Sequence, residues 1–189
     1  MKKVVIVHGW DFNPAMNWYP WLKRELEKKG FEVLVPEMPN TSEPVIADWV
    51  AHLKKTVNKI DSDTYFIGHS IGCQTIMRYI QTLPEQTRIE NVAFVAGWLK
   101  LENLEGEEVT AIAQHWLETP IDFSKVKKKI SKLTVFLSNN DPYDCLSENA
   151  QTFREKLGAK VIILSNKGHF TQDDGVLEVP EVLKEIVKS

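Results

Sequence analysis

Three residues of this chain have the types, order and surroundings that acyl transfer through a serine requires: Ser70, Asp141 and His169. Ser70 is the centre of Gly68-His69-Ser70-Ile71-Gly72, a Gly-x-Ser-x-Gly that follows the apolar run Tyr65-Phe66-Ile67 and opens a helix-like segment, Cys73 to Gln81. A nucleophile elbow of this kind passes from strand to helix in one step, which strains the serine backbone and lifts the hydroxyl clear of the sheet. The flanking glycines leave room where a side chain would strike the neighbouring strand or helix. With Gly and Ser each at roughly 7% of residues, a bare match arises by accident in about 6% of chains of this length. A strand before it and a helix after it cut that to about one per cent.

A serine alone is a poor nucleophile, so it needs a base, and the base needs an orienting acid. Asp141 closes the run Leu133 to Ser138 in the turn Asn139-Asn140-Asp141-Pro142, and His169 follows Val161 to Leu164 in the turn Asn166-Lys167-Gly168-His169. Aspartate before proline is also an ordinary turn starter, and Asp144 lies close enough to compete. Asp141 is preferred because it stands directly at the strand end. The other histidines, His8, His52, His69 and His115, all precede the acid. A tetrahedral intermediate further needs two N–H groups aimed at its oxyanion. The Ile71 amide, at a helix N-terminus, is one. The second is expected where the first apolar strand, Lys3 to Val7, breaks at His8-Gly9-Trp10-Asp11: Trp10 is assigned, with Asp11 next. His8 reads first as a hydrogen-bonding residue that shapes this loop, and it remains a candidate for the substrate pocket.

Apolar runs at 3–7, 31–35, 64–68, 92–97, 133–138 and 160–164 read as six buried strands, with helical patterns at 18–29, 43–59, 71–82, 147–157 and 177–188 between and after them. Such alternation makes βαβ units with right-handed crossovers, hence a three-layer α/β sandwich with a parallel sheet and helices on both faces. Ser70, Asp141 and His169 then fall just past the carboxyl ends of three strands, the edge where open parallel sheets bind ligands. No repeat, low-complexity tract or linker interrupts residues 1–189, which read as one domain.

The His8-Gly9 turn, the Gly68 to Gly72 elbow, the Asn140-Asp141-Pro142 turn and Gly168-His169-Phe170 resemble the α/β-hydrolase superfamily over essentially the whole chain. The short length and the stretch Trp116 to Ile130, a Trp-x-x-x-Pro followed by a helical pattern, are similar to the compact serine hydrolases related to retinoblastoma-binding protein nine. That resemblance implies Ser70 as nucleophile, Asp141 as acid, His169 as base, and hydrolysis of small esters or amides. It also implies the sheet order 2-1-3-4-5-6, without the two leading antiparallel strands of larger relatives. The Leu-x-Cys-x-Glu stretch of the animal protein is absent, since the segment before the elbow reads Lys59-Ile60-Asp61-Ser62-Asp63. Retinoblastoma-type partner binding is therefore not implied.

The segment from Trp98 to Ser131 is longer than one crossover needs and reads as a small cap. Glu107 to Leu117 forms a helix pattern with Val109, Ile112, Ala113, Trp116 and Leu117 on one face, which either covers the site or packs on the sheet. Aromatic residues expected near the opening, including Trp98, Trp116 and Phe170, suggest an apolar substrate pocket. At 189 residues and 43% hydrophobic the chain can bury about 70% of its unfolded surface. Its formal charge of −3 gives no basic field for nucleic acid, and the basic run Lys125 to Lys132 reads as a solvated helix face. Cys73 and Cys145 form no disulfide framework. With no signal-type or membrane-spanning apolar segment, a cytoplasmic location is expected. No metal or cofactor is called for. The combined reading is a serine esterase acting through an acyl-enzyme. An aminopeptidase or amidase with the same triad is one alternative, and a non-catalytic interaction protein on the same fold is another.

Overall fold

The computed structural model describes residues 2–58, 60, 63–143 and 145–188, and six of its strands form one parallel sheet. They are β1 (Lys3–Val7), β2 (Glu32–Leu34), β3 (Thr64–His69), β4 (Ile89–Val95), β5 (Ile130–Ser138) and β6 (Lys160–Leu164), ordered β2-β1-β3-β4-β5-β6. This is the expected order. Side chains alternate across the sheet, so Val5 and Val7 enter one apolar layer while Val4 and Ile6 enter the other. Helices α2 (Ile46–Val57), α3 (Ile71–Gln81) and α6 (Leu146–Leu157) cover the first face through Trp49, Ile76 and Phe153. The second face is covered by α1 (Tyr19–Glu27) and α7 (Pro180–Val187) through Leu22 and Ile186. Burial on both sides is why these strands read as unbroken apolar runs.

The edges differ from expectation. Among the described residues β2 and β6 have no neighbour on one side, and Ile163 of β6 is 47% exposed, so these two strands are not buried as the runs suggested. β4 and β5 begin earlier than their apolar runs because each opens on an isoleucine, Ile89 or Ile130, followed by two polar residues that interrupt the pattern; the Asn91 side-chain amide, for instance, donates to the Glu185 carbonyl at 3.1 Å. The basic run is not one solvated helix face. Only α5 (Phe123–Lys127) is helical, Lys129 is buried at 2% exposure, and Ile130 already opens β5.

The long segment after β4 carries α4 (Glu107–Glu118) and α5 across the outer side of α3. Every residue of α3 from Ile71 to Ile80 is consequently buried, and the side chains of Gln74 and Arg78 bond to that cover. Arg78 donates to the Trp116 carbonyl at 2.7 Å and the Thr119 carbonyl at 2.8 Å, while its guanidinium lies 5.6 Å from the centre of the Trp116 ring. These are the free carbonyls at the end of α4, satisfied by a cation where the helix dipole favours one. Burial lowers the Arg78 pKa to about 10, which leaves it charged at neutral pH. Among the described residues no helix is long and apolar enough to cross a membrane.

Candidate active site

The turn from β3 into α3 places Ser70 at φ 53°, ψ −124°, a strained conformation for a residue with a side chain. Its N–H stays in the sheet, donating to Val95 O at 2.9 Å. Although Ser70 is the N-cap of α3, its hydroxyl makes no capping bond, so Oγ is released to the site. Both glycines are required by close approach. A Cβ on Gly68 would lie 2.8 Å from the backbone of Cys73, and one on Gly72 would lie 2.4 Å from Val7 O at the end of β1.

His169 Nε2 lies 2.8 Å from Ser70 Oγ, and His169 Nδ1 lies 2.8 Å from Asp141 Oδ2. An ionised carboxylate only accepts, so Nδ1 carries the imidazole proton and Nε2 accepts the serine O–H. The other Asp141 oxygen accepts the Tyr143 N–H at 3.1 Å. Asp144, the competing acid, lies outside the described residues. The loops after β5 and β6 are stitched together beneath this pair. Asn140 Oδ1 accepts from the Gly168 N–H at 2.9 Å and the Ser138 hydroxyl at 2.7 Å, and Asn139 Oδ1 accepts the Asn166 N–H at 2.8 Å. Asp174 closes the His169 turn by accepting its N–H at 2.9 Å together with the Thr171 N–H and hydroxyl. Gly168 is needed there, since at φ 52° its Cβ would lie 1.9 Å from Asp174 Oδ1.

His69, beside the serine, has a different task. Its Nε2–H donates to the His169 carbonyl at 2.8 Å, and its Nδ1 accepts the Tyr19 hydroxyl at 2.5 Å. The Tyr19 oxygen in turn accepts the Gly9 N–H at 3.2 Å. Burial first, and the neighbouring His169 second, lower the His69 pKa to about 3; the ring is therefore neutral. It is a fixed link between the loop after β1 and the loop after β6.

In the β1 loop the Asp11 amide donates to Thr41 O at 3.0 Å and is not available to a ligand. The Trp10 and Ile71 amides have no acceptor among the described residues. A cavity of about 270 Å³ opens on Ser70 and His169, walled by Trp10, Phe12, Trp98, Leu101, Leu104, Val109 and Tyr143, and Asp11 is the carboxylate among its described lining residues. Burial pushes the Asp11 pKa up. A larger cavity of about 820 Å³ lies at the far end of α3, by Tyr79 and Arg88, and contains none of these groups.

Of the four expected pocket residues, Trp98 lines the site cavity and the other three do not. His8 is wholly buried with both ring nitrogens committed, Nδ1 to Gly9 O at 2.9 Å and Nε2 to the Met38 N–H at 3.0 Å. Trp116 is 1% exposed, packs edge-on against Trp49 at 6.0 Å and donates to Pro44 O. Phe170 is 1% exposed among Ala96, Val95 and Val176, and its carbonyl accepts the Trp18 N–H at 3.1 Å. Large rings near strand ends serve core and pocket alike, and the apolar pattern does not separate the two. Leu101, Leu104 and Tyr143 were missed because they lie in irregular segments without periodicity. Among the described residues, no cluster of His, Cys, Asp and Glu could hold a metal ion.

The family model described as serine hydrolase matches residues 4–188. The chain is 27% identical over 188 residues to the serine hydrolase RBBP9 of Rattus norvegicus, covering 98% of this chain and 95% of the relative. It is 26% identical over 185 residues to the ydeN gene product of Bacillus subtilis, covering 96% and 92%. The crystal structure of that gene product superposes with a TM-score of 0.90 over 100% of this chain and 98% of the other. Est1E from Butyrivibrio proteoclasticus shares the fold at 13% identity, with a TM-score of 0.72 over 98% and 86%.

Proposed function

The chain belongs to the serine hydrolase family, and from that premise we propose that it cleaves small carboxylic esters through an acyl-enzyme formed on Ser70. The observation that carries the proposal is the continuous bond path Ser70 Oγ, His169 Nε2, His169 Nδ1, Asp141 Oδ2, with 2.8 Å at each contact. His169 takes the Ser70 proton as Oγ attacks the acyl carbon, and Asp141 holds the tautomer that makes this possible and stabilises the imidazolium. The amides of Ile71 and Trp10 receive the oxyanion; their lack of an acceptor among the described residues supports that role. His169 then returns the proton to the leaving alcohol, and water repeats the sequence to release the acid.

The cavity volume of about 270 Å³ sits at the lower end of ligand sites, and its aromatic and aliphatic walls favour a small apolar acyl group. No lysine or arginine lines it while Asp11 does, which disfavours anionic acyl groups. The same carboxylate supports a second reading, hydrolysis of aminoacyl esters or amides whose ammonium group would face Asp11. A cytoplasmic location completes the proposal, in keeping with two unpaired cysteines, Cys73 and Cys145, both buried. A fluorophosphonate probe should label Ser70, and Ser70→Ala should lose labelling and lower kcat on the order of 10³-fold or more with KM little changed. Retained esterase activity in pure Ser70→Ala would end the reading. A panel of p-nitrophenyl esters beside aminoacyl-coumarin amides separates the two substrate classes.

A further inference from the structure

Ser70 Oγ has a second partner that neither the bond path nor the oxyanion amides account for. The Trp98 indole Nε1–H points at it from 3.2 Å, and because indole nitrogen only donates, Oγ must accept. This ring is held in place. The Trp98 carbonyl accepts from Gln74 of α3 at 3.3 Å, and the next two amides, Leu99 and Lys100, donate to the Asn149 side chain of α6 at 2.8 and 2.9 Å. Trp98 itself is 3% exposed, so little water competes for its N–H. The donor is thus built into the fold from both flanking helices.

We infer that Trp98 is a further catalytic residue, whose indole N–H stabilises the Ser70 oxygen as it departs during deacylation. The inference rests on the proposed acyl-enzyme. In the resting enzyme the hydroxyl gives its proton toward His169 and accepts the indole N–H with one lone pair, leaving the other for attack. Because that bond exists before attack and persists in it, it affects ground and transition states of acylation alike and leaves acylation nearly unchanged. The acyl-enzyme is different. There Oγ is an ester oxygen, conjugated with the acyl carbonyl and a poor acceptor. Water adds to the acyl carbon as His169 takes its proton; the tetrahedral species then collapses, the bond from the acyl carbon to Oγ breaks, Oγ keeps the electron pair and receives the proton from His169. Relative to the ester oxygen of the acyl-enzyme, Oγ regains charge and acceptor strength in this collapse and the N–H bond is made again, whereas acylation starts from a hydroxyl that already has it.

Trp98→Phe removes the N–H and keeps an aromatic ring. With p-nitrophenyl acetate, whose good leaving group makes deacylation limiting, the expected result is kcat lower by about five- to tenfold, with KM falling alongside and kcat/KM within about twofold of wild type. The p-nitrophenolate burst persists, and intact-mass measurement shows more acylated protein at steady state. If Trp98→Phe fails to fold, β-(3-benzothienyl)-alanine placed at position 98 gives the same shape with sulfur instead of N–H. A kcat/KM that falls as far as kcat, a raised KM at constant kcat, or unaltered kinetics would each overturn the inference. If wild-type protein is never acylated on Ser70, the hydrolase reading itself fails, an outcome distinct from an acylated wild type beside an unaltered variant.

Discussion

Trp116→Ala distinguishes a wall of the substrate pocket from a strut beneath it. The ring is 1% exposed, meets Trp49 edge-on at 6.0 Å, donates to Pro44 O at 2.8 Å and lies under the Arg78 guanidinium at 5.6 Å. Deleting a buried ring of this size costs about 3–5 kcal/mol. The orphaned Pro44 carbonyl and the lost cation contact add about 1 kcal/mol or more. For a domain of this size about 2–4 °C of melting temperature follows each kcal/mol, so the melting temperature followed by circular dichroism should drop by roughly 8–24 °C. Assayed well below its melt, the variant should treat acetyl and longer p-nitrophenyl esters in the same proportion as wild type. Val109, on the same helix but 39% exposed and lining the site cavity, should behave in the opposite way: Val109→Ser should keep its melting temperature and raise KM for longer acyl groups. A stable Trp116→Ala protein with selectively weakened binding of long esters would refute this assignment.

Gly72→Ala should lower kcat/KM by on the order of 10²-fold and destabilise by about 1–3 kcal/mol, because its Cβ would lie 2.4 Å from Val7 O and 2.7 Å from His8 O and must push the oxyanion loop away; wild-type rates would show the loop free to move. Asp174→Ala removes the acceptor of the His169 N–H, so kcat should fall at nearly constant KM, and a full-rate variant would mean the Asn140 bonds suffice to hold the turn. Acid should destabilise the fold before any carboxylate titrates fully. Burial lowers the pKa of His8, and that of His69 to about 3, while the unfolded histidines take up protons near the ordinary value of about 6.5. Stability is therefore complete above about pH 6.5 and is lost as pH falls below it, at about 1.4 kcal/mol per unit for His69, with His8 adding in the same direction. Urea midpoints at about pH 7.5 and about pH 5 should differ accordingly, and equal midpoints would contradict a neutral buried His69.

The parallel sheet was legible because each central strand is buried on both faces and reads as an apolar run, while its order came from the family resemblance. Edge strands escape that logic. Glu32 and Ile163 face outward, and nothing in a run of apolar letters says that no strand lies beyond it. Ser70, Asp141 and His169 were nominated by residue type at strand ends, a signal that survives without tertiary information, and the fold brings the three within hydrogen-bonding distance. The pocket was not legible. Trp10 and Trp98 face the site while Trp116 and Phe170 are core, and what separates them is the partner of each indole N–H or carbonyl: Ser42 O for Trp10, Ser70 Oγ for Trp98, Pro44 O for Trp116. Those partners lie on loops whose course only the folded chain defines. The solvated reading of Lys129 failed for a related reason, since a strand start two residues from a helix end draws its side chain inward.

Two histidines stand within hydrogen-bonding range of the elbow, and their environments decide which one faces the serine. His69 is wholly buried, with Tyr19 on one nitrogen and the His169 carbonyl on the other, so neither nitrogen is left for substrate chemistry and protonation is suppressed. His169 retains some exposure, has one nitrogen fixed by Asp141 and turns the other to Ser70. The neutral ring of His69 thereby serves as a spacer. It fixes the backbone of the proposed base against the loop that carries the Trp10 amide, through Tyr19 and the Gly9 N–H. The ends of β1, β3 and β6 are linked in this way without water, β5 joins through Asn139 and Asn140, and β4 contributes Trp98. The distance from Ser70 to His169 is then set by five strand ends together, and a displacement in any one of them reaches the pair. This is why Gly72, which touches the end of β1 and no reacting atom, is as constrained as the serine two residues before it.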